Sequence, residues 1–173
     1  KLSIDDGALD GSVESVDPMD STTSSNWSEN TNYSYNWSQD SSVGHNADGS
    51  YHINLETSLL RKRAGLVRNV DFPNDVTGAI LTFWTKKASN KTLNKCTLDI
   101  RMADRYGTWI EWAAPDSEYT PTNEWEQKTV NLQNYTGITL AGATKMEFYA
   151  KAEGTDAVCD AYIDDVQLSY YKL

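Results

Sequence analysis

From Ser50 onward, apolar and polar residues alternate with a period of two. Tyr51, Ile53 and Leu55 fall on one side of an extended chain, and His52, Asn54 and Glu56 on the other. Residues 64–70 read as a second strand. In 80–85, Leu81 and Phe83 oppose Thr82 and Trp84. In 97–102, Leu98, Ile100 and Met102 oppose Thr97, Asp99 and Arg101. Asp104-Arg105-Tyr106-Gly107 has turn chemistry, and 108–112 is the returning strand. Further strands are expected over 125–132, 145–150 and 161–168. No long stretch keeps a period of 3.6, so helix is not expected. Short strands separated by turns predict an all-β protein, an antiparallel two-sheet sandwich of jelly-roll type.

Residues 1 to about 49 differ. They are polar, acidic and rich in Ser, Asn, Asp and Thr, whose side chains compete for backbone groups and favour loops. Asn26-Trp27-Ser28 is echoed by Asn36-Trp37-Ser38, with Tyr33 and Tyr35 between. Nothing recurs later, so this is a local echo and not a solenoid repeat. Trp27 and Trp37 in such a loop either line a binding site or anchor the loop to the sandwich. The 173 residues suit a single domain with a polar N-terminal segment, long enough to bury a core without staples.

Composition narrows the partners. Six Trp and ten Tyr stand beside three Phe, a balance favouring half-wet surfaces where a ring has one apolar face and one hydrogen-bonding edge. The net charge of −10 argues against nucleic acid and anionic membranes, leaving a neutral partner or a cation. No apolar run approaches a membrane span. The chain begins at Lys1 with neither a starting methionine nor a signal peptide, so Lys1 is expected to be a processed end or a cut within a longer protein. Cys96 and Cys159 permit one disulfide or two buried thiols, and lack the spacing of a zinc site. The five Asn-X-Ser/Thr sequons, at Asn26, Asn32, Asn36, Asn90 and Asn134, follow from an Asn- and Thr-rich composition.

Several segments resemble one family. Tyr162-Ile163-Asp164-Asp165-Val166-Gln167-Leu168, and Gly78-Ala79-Ile80-Leu81-Thr82-Phe83-Trp84-Thr85-Lys86, are similar to strands of the jelly-roll carbohydrate-binding modules attached to bacterial xylanases and cellulases, in the galactose-binding-like group. Asp48-Gly49-Ser50-Tyr51-His52-Ile53 resembles the strand entry after their first long loop. Asn123-Glu124-Trp125-Glu126 resembles the strand after their central turn, which implies a packing role for Trp125. Asp17-Pro18-Met19-Asp20 resembles their opening segment. The likeness runs over about residues 17–168, and the N-terminal insertion departs from it. It implies a structural calcium with Asp164 as a ligand and Asp20 and Asp48 as further candidates, because calcium takes six to eight oxygens. Asp165, the next residue along a strand, is expected on the opposite side from Asp164.

Sugar rings offer apolar C–H faces and polar edges. The expected stacking residues are Trp84, Trp109 and Trp112, with Tyr106 and Trp37 behind them; Arg101 and Glu111 are expected at hydroxyl edges. If Ile110 faces the core, Trp109 lies outside and Trp112 is structural. The resulting expectation is a secreted or cell-surface, non-catalytic, monomeric module, covalently joined to catalytic or scaffold modules. It would bind plant cell-wall polysaccharide, with neutral β-1,4-glucan, xyloglucan or mixed-linkage glucan first and starch second. Two other classes share the fold. A jelly-roll polysaccharide lyase would cast His52, Tyr106 and Arg101 as base and charge neutraliser, against a net charge that repels anionic substrate. An adhesin or cell-wall domain would lack the aromatic platform.

Overall fold

The computed structural model describes residues 12–17, 26–58, 60–113, 119–133 and 139–172, without the side chains of 12–17, 111–113 and 133. Its strands are β1 (Ser12–Asp17), β2 (Trp27–Glu29), β3 (Ser38–Asp40), β4 (Ser50–Thr57), β5 (Lys62–Asn69), β6 (Gly78–Lys87), β7 (Cys96–Ala103), β8 (Trp109–Ala113), β9 (Glu126–Gln133), β10 (Lys145–Ala152) and β11 (Ala157–Tyr171). All pairs are antiparallel. One sheet has six strands in the order β3-β4-β11-β6-β9, with β1 also paired to β11; the other has five, β2-β5-β10-β7-β8. This is the expected all-β jelly-roll sandwich. The polar N-terminal segment, expected as loops, supplies three strands of its own, two of them only three residues long. Among the described residues no helix is long and apolar enough to cross a membrane.

The period-two alternation decides what faces what. Ala79, Leu81 and Phe83 of β6 and Ile53 and Leu55 of β4 turn inward from one sheet. Leu98, Ile100 and Met102 of β7 and Met146, Phe148 and Ala150 of β10 turn inward from the other. Phe83 and Phe148 meet across the gap edge to face, with centroids 5.2 Å apart. Cys96 on β7 and Cys159 on β11 are both on inner faces and are joined by a disulfide that ties the two sheets together.

Consecutive strands repeatedly change sheet: β6 lies in the six-stranded sheet and β7 in the five-stranded one. The long strand β11 forms the axis of the larger sheet. Its first half pairs with β4 and its second half with β1, while β6 runs along its other edge. Between Asp164 and Gln167 the β6–β11 register slips, so that Asp165 and Val166 together stand opposite Phe83. Asp165 adopts a positive φ of 45° there. This bulge overturns the simple alternation expected for the two neighbouring acids, because the extra residue resets which face each side chain takes. The Asp164 and Asp165 carboxylates both reach His45: Asp164 Oδ2 accepts its backbone N–H at 2.6 Å, and Asp165 Oδ2 lies 2.7 Å from its Nδ1.

Candidate functional site

The inward positions of β10 and β7 leave Glu147, Tyr149, Asp99 and Arg101 on the outer face of the five-stranded sheet. On β8, Ile110 packs against the core, which sends Trp109 to the same outer face. A glutamate on an outer face would ordinarily be solvated, but Glu147 is 0% exposed. The segment 30–35 folds over it. Asn30 N–H bonds Gly65 O at 2.9 Å, and Asn30 Oδ1 accepts the N–H of Asn32, forming a tight local turn. Asn30 Nδ2 then donates to Glu147 Oε2 at 2.5 Å. Gly65 makes this approach possible: a Cβ there would lie 2.3 Å from Glu147 Oε2.

Arg101 joins the group. Its Nη1 donates to Glu147 Oε1 at 2.9 Å and to the Tyr33 hydroxyl at 2.8 Å. The guanidinium carbon sits 5.0 Å from the Tyr149 ring centroid and 5.1 Å from that of Trp109. Tyr33 and Tyr149 are 5.4 Å apart. A charged, fork-shaped donor is thus clamped between aromatic rings. Two shallow grooves flank the 30–35 segment. One, about 250 Å³, runs past Trp109, Val67 and Lys145; the other, about 260 Å³, runs past Tyr35, Arg61 and Arg63. Such open grooves suit an extended chain lying across the face better than an enclosed small molecule.

The six-stranded sheet carries a second aromatic group on its own outer face. His45 stacks on Trp84 at 3.7 Å and meets Trp125 edge-on at 5.8 Å. Trp125 lies 6.4 Å from Tyr162, and Tyr162 lies 4.8 Å from His52. His52 Nε2 is 2.6 Å from Asp160 Oδ1. Asp164, 1% exposed, accepts the N–H groups of His45 and Asp165. Burial raises its pKa to about 6, against those two hydrogen bonds, which lower it.

The expected ligand residues therefore divide. Arg101 and Trp109 come together. Glu111 lies opposite Arg101 in the ladder, and Trp112 opposite Ile100, but their side chains fall outside the described residues. Trp84 is not beside Trp109: it leaves the core as expected, but from β6 and therefore onto the other sheet, and His45 covers one face of its ring. Trp37 is 2% exposed and packs on Phe148 in the core, so it offers no ring face to a ligand lying on the outer face. Tyr106 stands 78% exposed at the tip of the β7–β8 turn, under Arg105. Trp125 packs against the His45 and Tyr162 rings, as its resemblance implies.

The lyase trio is dispersed, because His52 and Arg101 project from opposite outer faces and Tyr106 sits on a turn. For calcium, each Asp164 oxygen already accepts one N–H. Asp48 is exposed and Asp20 lies outside the described residues. Among the described residues no three His, Cys, Asp or Glu side chains gather as a metal cage.

Sequence reasoning missed Glu147, Tyr149, Tyr33 and Asn30. The first two carried a signal: a Glu and a Tyr alternate with the apolar Met146 and Phe148 along β10. Tyr33 and Asn30 carried none, since nothing local says where a polar loop lands.

No family model and no curated protein matches this sequence. Solved structures do match its shape. The CBM22-1 xylan-binding domain from Paenibacillus barcinonensis Xyn10C aligns with a TM-score of 0.64 and 12% identity, covering 94% of this chain and 97% of that one. TmCBM27, a carbohydrate-binding module that recognises mannan, aligns with a TM-score of 0.60 and 10% identity over 94% of this chain and 99% of that one. The C-terminal family 22 carbohydrate-binding module of Clostridium thermocellum Xyn10B aligns at 0.59 and 12% identity, over 92% and 94%. The fold of this chain is the one these modules share.

Proposed function

We propose that this chain is a non-catalytic polysaccharide-binding module whose ligand lies on the outer face of the five-stranded sheet. The observation that carries the reading is the clamped Arg101: its guanidinium is aimed by a buried carboxylate and bracketed by Trp109 and Tyr149. Holding these groups in advance removes much of the ordering cost of binding. Trp109, half-buried at the lip of a groove, supplies the apolar surface for a sugar C–H face, and polar groups of Arg101 and the 30–35 segment meet hydroxyls. The ligand is a neutral chain, since the protein carries a net charge of −10. The backbone is β-1,4-linked. Glucan, xyloglucan and mixed-linkage glucan are the expectations from sequence; the ligands of the similar modules, xylan and mannan, join them. The module serves a secreted protein, tethered to catalytic or scaffold partners. The disulfide supports an oxidising compartment, and a similar xylanase module is solved joined to a GH10 module.

Affinity gel electrophoresis against soluble glucans, xylan, mannan and starch tests the reading. One or two neutral β-1,4 polysaccharides are expected to retard the protein and to emerge undegraded. Trp109→Ala is expected to weaken binding by about 1–3 kcal/mol, by analogy with aromatic stacking elsewhere. Trp84→Ala is expected to migrate like the parent. Retardation lost in Trp84→Ala and kept in Trp109→Ala would move the site to the other sheet.

A further inference from the structure

The Asn-Trp-Ser echo has a structural counterpart. Trp27 opens β2, an edge strand of the five-stranded sheet, and Trp37 immediately precedes β3, an edge strand of the six-stranded sheet. The two three-residue strands stand on the same side of the sandwich. From opposite sheets, both indoles converge on Phe148, at 5.7 and 6.5 Å. Strands this short do not close the seam between the sheets. A groove of about 360 Å³ opens there, lined by Trp27, Trp37 and Tyr51 with Glu29, Ser38 and Gln39.

The polar chemistry of this seam is unbalanced. Trp37 Nε1 and Gln39 Nε2 are buried without a hydrogen-bond partner. Trp37 is 2% exposed. The indole and amide nitrogens can only donate. Buried donors left unmade are rare in native proteins and cost about 1–3 kcal/mol each. Their complement is a compact molecule rich in acceptor oxygens. An anion is disfavoured by Glu29 on the wall and by the net charge of −10. A purely apolar molecule would leave the donors unanswered. A single neutral sugar ring answers each requirement: hydroxyl and ring oxygens accept from Trp37 and Gln39, a hydroxyl donates to Glu29, and C–H faces meet the aromatic wall. The volume sits at the small end of ligand pockets and has room for one sugar ring.

We propose that this seam is a second carbohydrate site, across β2 from the outer-face groove with which it shares Ser28 and Glu29, and that it takes a single neutral sugar or the terminal ring of a glycan. The test uses the intact chain and its indole Nε1–H signals in two-dimensional nitrogen–proton NMR. Xylose, glucose and mannose are titrated separately up to their solubility. With at least one of them, the Trp37 signal is expected to move saturably, with the Trp109 signal as internal reference for the other site. Gln39→Leu, which keeps the side chain's bulk but removes its donor, is expected to weaken this response about tenfold, the loss of one hydrogen bond. A Trp37 signal unmoved by all three sugars, or moved equally in Gln39→Leu, overturns the proposal.

Discussion

Glu147 shows how much one side chain can organise. It has no exposure, yet it bonds Arg101 on one strand and Asn30 in a distant loop. An ion pair so placed contributes little against an apolar replacement of both partners, but removing one leaves a buried charge alone. Glu147→Ala is therefore expected to cost about 3–5 kcal/mol in urea unfolding. A double replacement of Glu147 and Arg101 by Met is expected to recover part of that loss. Asp164 presents the opposite situation, a carboxylate that burial pushes up to a pKa of about 6. A raised acid binds its proton more tightly when folded. Its contribution to stability is thus fully present below the unfolded value near 3.8 and is lost as pH rises through about 6. Relative to Asp164→Asn, which cannot ionise, the wild-type protein is expected to gain stability as pH falls between these values. The slope is up to about 1.4 kcal/mol per pH unit, read from paired denaturation curves across that range.

At the level of elements, the sequence was most legible where one face is wholly apolar. Leu81 and Phe83, Leu98 and Ile100, and Met146 and Phe148 each announce a strand and its inward face. β2 and β3 were illegible because three residues among Ser and Asn show no period, and their pairing comes from β5 and β4. Alternation also fails at a bulge, which is how Asp165 came to share a partner with Asp164. The candidate site was half legible. Trp109 and Arg101 follow from alternation alone, whereas separating Trp109 from Trp84 requires knowing that β6 and β7 belong to different sheets. The disulfide was open on sequence grounds, and it joins those sheets across a separation of 63 residues. Loop-closure entropy for a crosslink of that span suggests about 4 kcal/mol. Replacing Cys96 and Cys159 together by Ala is expected to cost about 2–5 kcal/mol and to lower the melting temperature, with binding at Trp109 retained.

Across the whole molecule, the two outer faces differ in what they offer. One carries a pre-set guanidinium among rings beside open grooves; on the other, His45 covers Trp84 and two His–Asp pairs occupy polar groups. Each Asp164 oxygen already accepts an N–H, and no three His, Cys, Asp or Glu side chains gather around it among the described residues. EDTA is therefore expected to leave the melting temperature unchanged. A fall reversed by added calcium would show that donors beyond the described residues, Asp20 among the candidates, complete a site. The pairing of β1 with β11 has a mechanical consequence. Ser12 stands opposite Tyr170 and Asp17 opposite Val166, so the outer ends of both strands lie together at one end of the sheet. A pull applied through Ser12 and Tyr171 loads this ladder like a zipper. The rungs break singly from Ser12 inward, each at the modest strength of one hydrogen bond, instead of sharing the load in shear. The first part to yield is β1, while β11 stays held by β4 and β6. The protein can thus lengthen under tension and leave the five-stranded sheet, with its clamped arginine, undisturbed.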